Sequence, residues 1–530
     1  MNIFFIGMCI TMAIYIIIGL IISKSVKDAE DFYVAGRNSP AILITGSLVA
    51  SFIGVGLFMG DVGECYSGFF GPIILAVGIL SIGYMVGSIA FGRYLRRSGV
   101  VTIPEFFGTR FHSKRMKMLA TITSVFIMMV YMLSCVQGIG GLMKAVTQLD
   151  YKICVILTTI TFTLITIFSG SKGVLITDTI MFGVFSIATI IGVLFISRAT
   201  GGWINTVSSM AVYEELTDIL SWHGNLNYNY SSGIENLIWA FGYGIAWMAV
   251  LMVAPWQSSR YLMARSEHDV IRSSIFATVS VFMIEFLMCM AGVFTHKINP
   301  NLESPSHALI WASMNVIPKV FGIIILSGVL AAGISSATTF LSLIGSNVAN
   351  DILNIKSGDK SIRISRLSMI VVSSIIALLC IFSPPKIFWI THLGATIIAS
   401  SWLPVAMASV WSKRITEKGA FWGMLLGFLV SASMKSFLVI NDLSVPMYFD
   451  PFFIGVIASI LGIVIGSKTS KITQAEIEAR SKLFIIPDSE FDKKQVKKTK
   501  VFSIFSLPLS LTVVSVLLFL WIIPYLNGLK

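Results

Sequence analysis

Apolar stretches of about 20 residues recur from residue 3 to residue 524 with short polar connections between them, and each is long enough to cross the hydrocarbon core of a bilayer as a helix. The pattern predicts fourteen spans, at 3–22, 40–60, 69–92, 118–143, 153–171, 173–197, 233–256, 273–295, 320–350, 367–383, 387–411, 419–439, 452–467 and 503–524. Helices of this length satisfy their own backbone groups within lipid, so the fold class is an all-α polytopic membrane protein. The first stretch has no Lys or Arg before it and no small-residue cleavage pattern after it. It reads as a retained span and not as a leader.

Composition agrees. Of 530 residues, 55% are hydrophobic and 12% charged, against roughly 25% charged in an ordinary soluble domain. A water-soluble globule is excluded. The formal net charge of +12 could point to nucleic acid, but 30 of the 38 Lys and Arg fall in alternate connections, those after the odd-numbered spans. Basic loops are retained on the cytoplasmic side, so the clusters Arg93, Arg96, Arg97 and Lys493, Lys494, Lys497, Lys498 are expected inside the cell, both termini outside, and the protein in the plasma membrane. The positive charge then reports topology and calls for no nucleic-acid partner.

The longest outside loop, 199–232, carries Glu214, Glu215 and Asp218 and is either a cap over an outer vestibule or a plain connector. Within it, Asn229-Tyr230-Ser231 matches a glycosylation acceptor only formally. The inside segment 467–502 alternates acidic and basic residues and reads as a helical or partly disordered tether. Six cysteines (Cys9, Cys65, Cys135, Cys154, Cys289, Cys380) lie singly, which indicates neither a zinc site nor a disulfide framework. No HExxH, GxSxG or P-loop pattern is present, so the residues of nucleophilic or metal catalysis are missing and no enzyme is expected.

A polar side chain at membrane depth is expensive unless paired, and the exceptions point toward function. Asp178 lies early in the sixth span, Glu285 midway along the eighth and His392 early in the eleventh. A buried structural hydrogen bond is an alternative for Glu285 and His392. In the ninth span Ala332, Ser335, Ser336 and Thr339 fall three or four apart on one helical face, with Thr338 three beyond Ser335. These hydroxyls either face a ligand or bond back to the preceding turn. The second span contains Gly46, Gly54 and Gly56, so a helix break is expected near 51–54. Carbonyls freed at membrane depth must face protein, a polar cavity or a hard cation such as sodium. In the seventh span Phe241-Gly242-Tyr243-Gly244 marks either a second break or close helix packing.

Several short segments, in order, resemble the sodium:solute symporter family: Asp31-Phe32-Tyr33-Val34-Ala35-Gly36-Arg37 before the second span, Thr102-Ile103-Pro104-Glu105-Phe106-Phe107 after the third, Thr177-Asp178, Arg260-Tyr261-Leu262, and Ala-x-x-Ser-Ser at Ala332, Ser335 and Ser336. The resemblance covers roughly 30–430. It implies a core of two five-helix repeats of opposite orientation, 40–198 and 233–411, joined by the loop 199–232. One extra helix with its cytoplasmic loop precedes them at 1–39, and peripheral helices follow at 412–530. By the same resemblance one sodium is held by carbonyls of Ala50, Ile53 and Ala332 with the hydroxyls of Ser335 and Ser336. A second sodium in some members would use Asp178, Thr338 and Thr339.

The implied activity is sodium-coupled symport of a small solute into the cell by alternating access. The pocket should lie at the break of the second span, which nominates Ser51, Gln137, Tyr243, Trp247 and His392. Proline symporters of the family carry Trp-x-x-x-Tyr-x-x-x-Pro in the seventh span, whereas this chain reads Trp247, Leu251, Pro255. The missing Tyr hydroxyl argues against proline, and the scarcity of amide and acid side chains argues against a sugar. A monocarboxylate, an amino-acid-like or a vitamin-like solute fits better. Two rivals stand beside this reading: a proton-coupled carrier that uses Asp178 or Glu285, and a membrane sensor domain, for which the short tether leaves no room for a kinase. Oligomeric state is not legible in the chain.

Overall fold

The computed structural model describes residues 3–228, 231–355, 358–382, 387–441, 443 and 445–530; Asn229 and Tyr230 of the acceptor pattern lie outside the described residues. The crossing helices are α1 (Ile3–Ser23), α2 (Ala41–Phe52 and Gly56–Tyr66), α3 (Phe70–Ser98), α4 (Lys114–Thr147), α5 and α6 (the two parts of Tyr151–Ala199), α7 (Gly233–Met263), α8 (Glu267–Ile298) and α9 (Lys319–Ile352). They continue with α10 (Asp359–Phe382), α11 (Ile387–Trp411), α12 (Glu417–Ile440), α13 (Pro451–Lys468) and α14 (Lys493–Gly528).

Among the described residues twelve helices are individually long and apolar enough to cross a membrane, and α2, whose halves meet at 47°, is a thirteenth crossing. The fourteenth comes from Tyr151–Ala199. Unbroken, its 49 residues would run about 74 Å, more than twice the bilayer core. It turns at Gly170, where φ is 55° and ψ −155°, a region that only glycine adopts readily. A side chain there would also meet the Phe32 carbonyl oxygen at 2.6 Å.

The break in α2 falls where the glycines place it. The first half ends at Phe52, Ile53 is extended (φ −70°, ψ 93°), and a wide π turn at Gly56–Asp61 restarts the helix. Of the two readings of Gly242 and Gly244 in α7, the break is not seen: the helix is continuous from Gly233 to Val253 and bends at Ala254, immediately before Pro255. Proline lacks the N–H and forces its predecessor out of the helical region. The two glycines serve close approach instead, Gly244 against Ala76 and Ile79 of α3 and Gly242 against Met447.

Helix α9 is the most enclosed span, with 78% of its most apolar window buried against 22% for α1 and 17% for α14. Its hydroxyl-bearing face is therefore interior, packed along α5 and α6 and against α2, while α1 and α14 form the rim. The charged segment after α13 is ordered. A helix, Gln474–Lys482, starts from a capping box of Thr473 and Glu476. It docks through Arg97 Nη1 donating to the Leu483 carbonyl at 3.0 Å and Arg110 Nη1 donating to the Glu476 carbonyl at 2.9 Å.

Candidate functional site

The interrupted helix and the hydroxyl face of α9 meet. The last rung of the first half of α2 runs from the Ile53 N–H to the Val49 carbonyl at 2.8 Å, so the carbonyls of Ala50 and Ile53 lie past the ladder. Gly54 packs so closely on α9 that a Cβ there would sit 2.9 Å from Ser336 Oγ. Ala50, Ile53, Ala332, Ser335 and Ser336 are all buried. Ser336 Oγ donates weakly to the Ala332 carbonyl at 3.3 Å, and Thr338 Oγ1 donates to the Ser335 carbonyl at 2.9 Å. The residues named for a first cation thus share one interior seam of α2 and α9.

Ser335 faces the neighbouring acid and donates to Asp178 Oδ1 at 2.6 Å. The other carboxylate oxygen accepts from Ser47 at 2.6 Å and from Thr339 at 3.4 Å. A partner missed in the sequence completes the cluster: Arg260, fully buried in the second half of α7, donates from Nη2 to Asp178 Oδ2 at 3.3 Å and from Nε to Ser47 Oγ at 2.8 Å, and also bonds Thr339 Oγ1. Burying both charges is tolerated because each is paired and hydrogen-bonded. Of the residues named for a second cation, Asp178 and Thr339 are brought together, joined by Ser335 from the first set and with a guanidinium in their midst. Thr338 is on the same helix but turned to its own backbone.

A cavity of about 40 Å³ lies on the other side of the α2 break, walled by Phe52, Gly56, Leu57, Asp61, Leu80, Tyr131, Tyr243, Trp247, Glu285 and His392. Three of the five nominated solute contacts, Tyr243, Trp247 and His392, line it. Ser51 and Gln137 are buried outside that lining, and Ser51 Oγ donates to the Leu48 carbonyl of its own turn at 3.1 Å. His392 stacks on Tyr243 with ring centroids 5.4 Å apart. Behind it, His392 Nε2 stands 3.9 Å and Lys435 Nζ 3.6 Å from Asp450 Oδ2. Sequence reasoning missed Asp61, because the second span was ended one residue short of it, and Lys435, because one charge disappears in an apolar average. The restart of α2 after its break was the signal for Asp61.

The sequence pattern of the sodium:solute symporter family matches residues 32–427. The chain belongs to that family. As a member it is a multi-pass, sodium-coupled solute transporter and not an enzyme. It is 25% identical to an osmoregulated proline transporter of Bacillus subtilis (strain 168) over 92% of this chain and 99% of the relative. It is 23% identical to a sodium/pantothenate symporter of Escherichia coli (strain K12) over 83% and 90%. Among solved structures, a substrate-bound, outward-open sodium-coupled sialic acid symporter matches 89% of this chain and 99% of its own with a TM-score of 0.72 at 18% identity. The shared fold is the five-plus-five inverted-repeat core.

Proposed function

We propose that the protein carries a small organic solute into the cell with sodium by alternating access, the ion sitting between the α2 break and α9. The halves 40–198 and 233–411 form the moving core, with both chain ends outside the plasma membrane. The observation that supports this reading is the close approach of Gly54 to Ser336, at a seam where Ala50, Ile53, Ala332, Ser335 and Ser336 are all buried and whose carbonyls and hydroxyls would supply an all-oxygen shell. A hard cation favours such an all-oxygen shell.

Sodium pins α2 against α9 and, by linkage, raises affinity for solute in the cavity on the other side of the break. One charge crossing about 100 mV gains about 2.3 kcal/mol, close to fiftyfold accumulation. A second sodium at Asp178, Thr338 and Thr339 requires the Arg260 guanidinium to withdraw, since two cations would otherwise compete for one carboxylate. The solutes for which the two relatives are named, proline and pantothenate, support the class: amino-acid-like, vitamin-like or monocarboxylate.

The test needs no solute. The purified protein is titrated with sodium chloride or potassium chloride at fixed pH and ionic strength, and its apparent unfolding midpoint is followed. Ligand at a hundred times its Kd stabilises by about 2.7 kcal/mol. Sodium should stabilise and potassium should not, and Ser336→Ala should erase the difference. Identical curves for the two salts would overturn the sodium site. The proton-coupled alternative has one observation in its favour, the two carboxylates in the cavity. It predicts solute uptake driven by a pH gradient in potassium alone.

A further inference from the structure

The Asp61 and Glu285 carboxyl groups face one cavity, from the second half of α2 and the middle of α8, and the sodium-coupled reading above gives them no role. Among the described residues no Lys or Arg lines that cavity, and neither acid is seen in an ion pair or a hydrogen bond. Glu285 is 1% exposed, and its Oε2 is sealed from solvent without a hydrogen-bond partner. The nearby cations are already answered: Arg260 by Asp178, and Lys435 by Asp450. Two carboxylates on a low-dielectric cavity repel each other unless positive charge or a proton enters between them.

The remaining wall says which. Phe52, Tyr131, Tyr243 and Trp247 present aromatic rings, with Phe52 and Trp247 centroids 5.8 Å apart and Tyr243 and Trp247 6.1 Å apart. Rings of this kind attract a nitrogen cation that is only weakly hydrated. A bare metal ion needs more oxygen ligands than two side chains offer, and among the described residues no group of three His, Cys, Asp or Glu gathers anywhere. Trp247 adds an independent sign. It is 6% exposed, and its Nε1–H, on the same cavity, has no acceptor. A buried donor of this sort awaits an oxygen.

We propose that the cavity recognises a solute with a positively charged nitrogen, which Asp61 and Glu285 hold within the aromatic wall, while an acceptor oxygen elsewhere on the solute meets Trp247 Nε1. This inference rests on the transport reading above and narrows it: amines and amino-acid-like zwitterions are taken, and simple monocarboxylates are not.

The experiment measures apparent unfolding midpoints of the full-length protein in fixed sodium, then in potassium, with equal concentrations of choline, putrescine, β-alanine, lactate, glycerol and myo-inositol. At least one nitrogen cation should stabilise the protein, and Glu285→Gln and Asp61→Asn should each weaken its apparent affinity at least tenfold while leaving the sodium-induced shift in place, which shows that the variants are folded. Should neither variant fold, the wild-type panel decides alone. Trp247→Phe should weaken β-alanine and spare putrescine. Stabilisation by lactate or the neutral probes only, by none of the six, or by a cation whose affinity ignores Glu285→Gln overturns the assignment. The two readings fail separately. Lactate acting better in sodium than in potassium removes the nitrogen site and keeps symport, whereas choline acting equally in both keeps the nitrogen site and removes sodium coupling.

Discussion

Two buried acidic sites flank the break in α2, and the protein treats them in opposite ways. On one side Asp178 accepts from Ser47, Ser335, Thr339 and Arg260, so that both of its oxygens are occupied. On the other side Asp61 and Glu285 meet at a cavity whose wall, among the described residues, holds no Lys or Arg and whose one histidine, His392, already stands 3.9 Å from Asp450. A paired charge ties four helices together, since Ser47, Asp178, Arg260 and Ser335 come from α2, α6, α7 and α9. An unpaired one costs free energy until something arrives to answer it. The first arrangement is a strut and the second a demand for a ligand.

Substitutions break or sharpen this contrast. The largest effect belongs to Asp178→Asn, which strands the Arg260 guanidinium and should destabilise by about 3–5 kcal/mol. It is read as a fall in apparent unfolding midpoint in detergent. Adding Arg260→Met should recover much of that loss, because an apolar pair replaces a half-pair. Gly54→Ala comes next: its Cβ would crowd Ser336 Oγ, with a penalty of about 1–3 kcal/mol and a diminished sodium-induced shift. Glu285→Gln should move the other way, raising the solute-free midpoint by about 1 kcal/mol, since an unanswered buried charge is removed. A loss as large as that of Asp178→Asn would show that Glu285 is a strut after all. Ser51→Ala should shift stability by less than about 0.5 kcal/mol, its hydroxyl bonding only its own turn. A drop in solute affinity in this variant would return Ser51 to the cavity wall.

Much of the architecture was legible because bilayer thickness sets the length of each apolar run, and all fourteen spans have counterparts. The break in α2 can be read from glycines, whereas the same signal in α7 leaves two readings open, of which packing holds for Gly242 and Gly244 while Pro255 makes the bend. Glycine permits both outcomes, and only the neighbouring helix decides between them. The hydroxyl face of α9 follows from helical periodicity. The partnership of Arg260 with Asp178 does not: the two lie far apart in sequence, and an arginine near a span end reads as a cytoplasmic flank. Asp61 was hidden because a break lengthens the path of α2 through the membrane and carries later residues to unexpected depth. The charged tether was left open between helix and disorder, and its capping box, Thr473 with Glu476, is what favours the helix.

The approach to α2 and the far end of α7 are stitched together by two backbone hydrogen bonds, Ser39 N–H to the Met263 carbonyl at 3.1 Å and Arg265 N–H to the Ser39 carbonyl at 3.0 Å. Each contributes about 0.5–1.5 kcal/mol net. Together they amount to about 1–3 kcal/mol, so a latch of that strength stands open roughly one time in six to one in 160. The base of α2 and the far end of α7 are thereby held by a clasp weak enough that a ligand preference of a few kcal/mol would unfasten it.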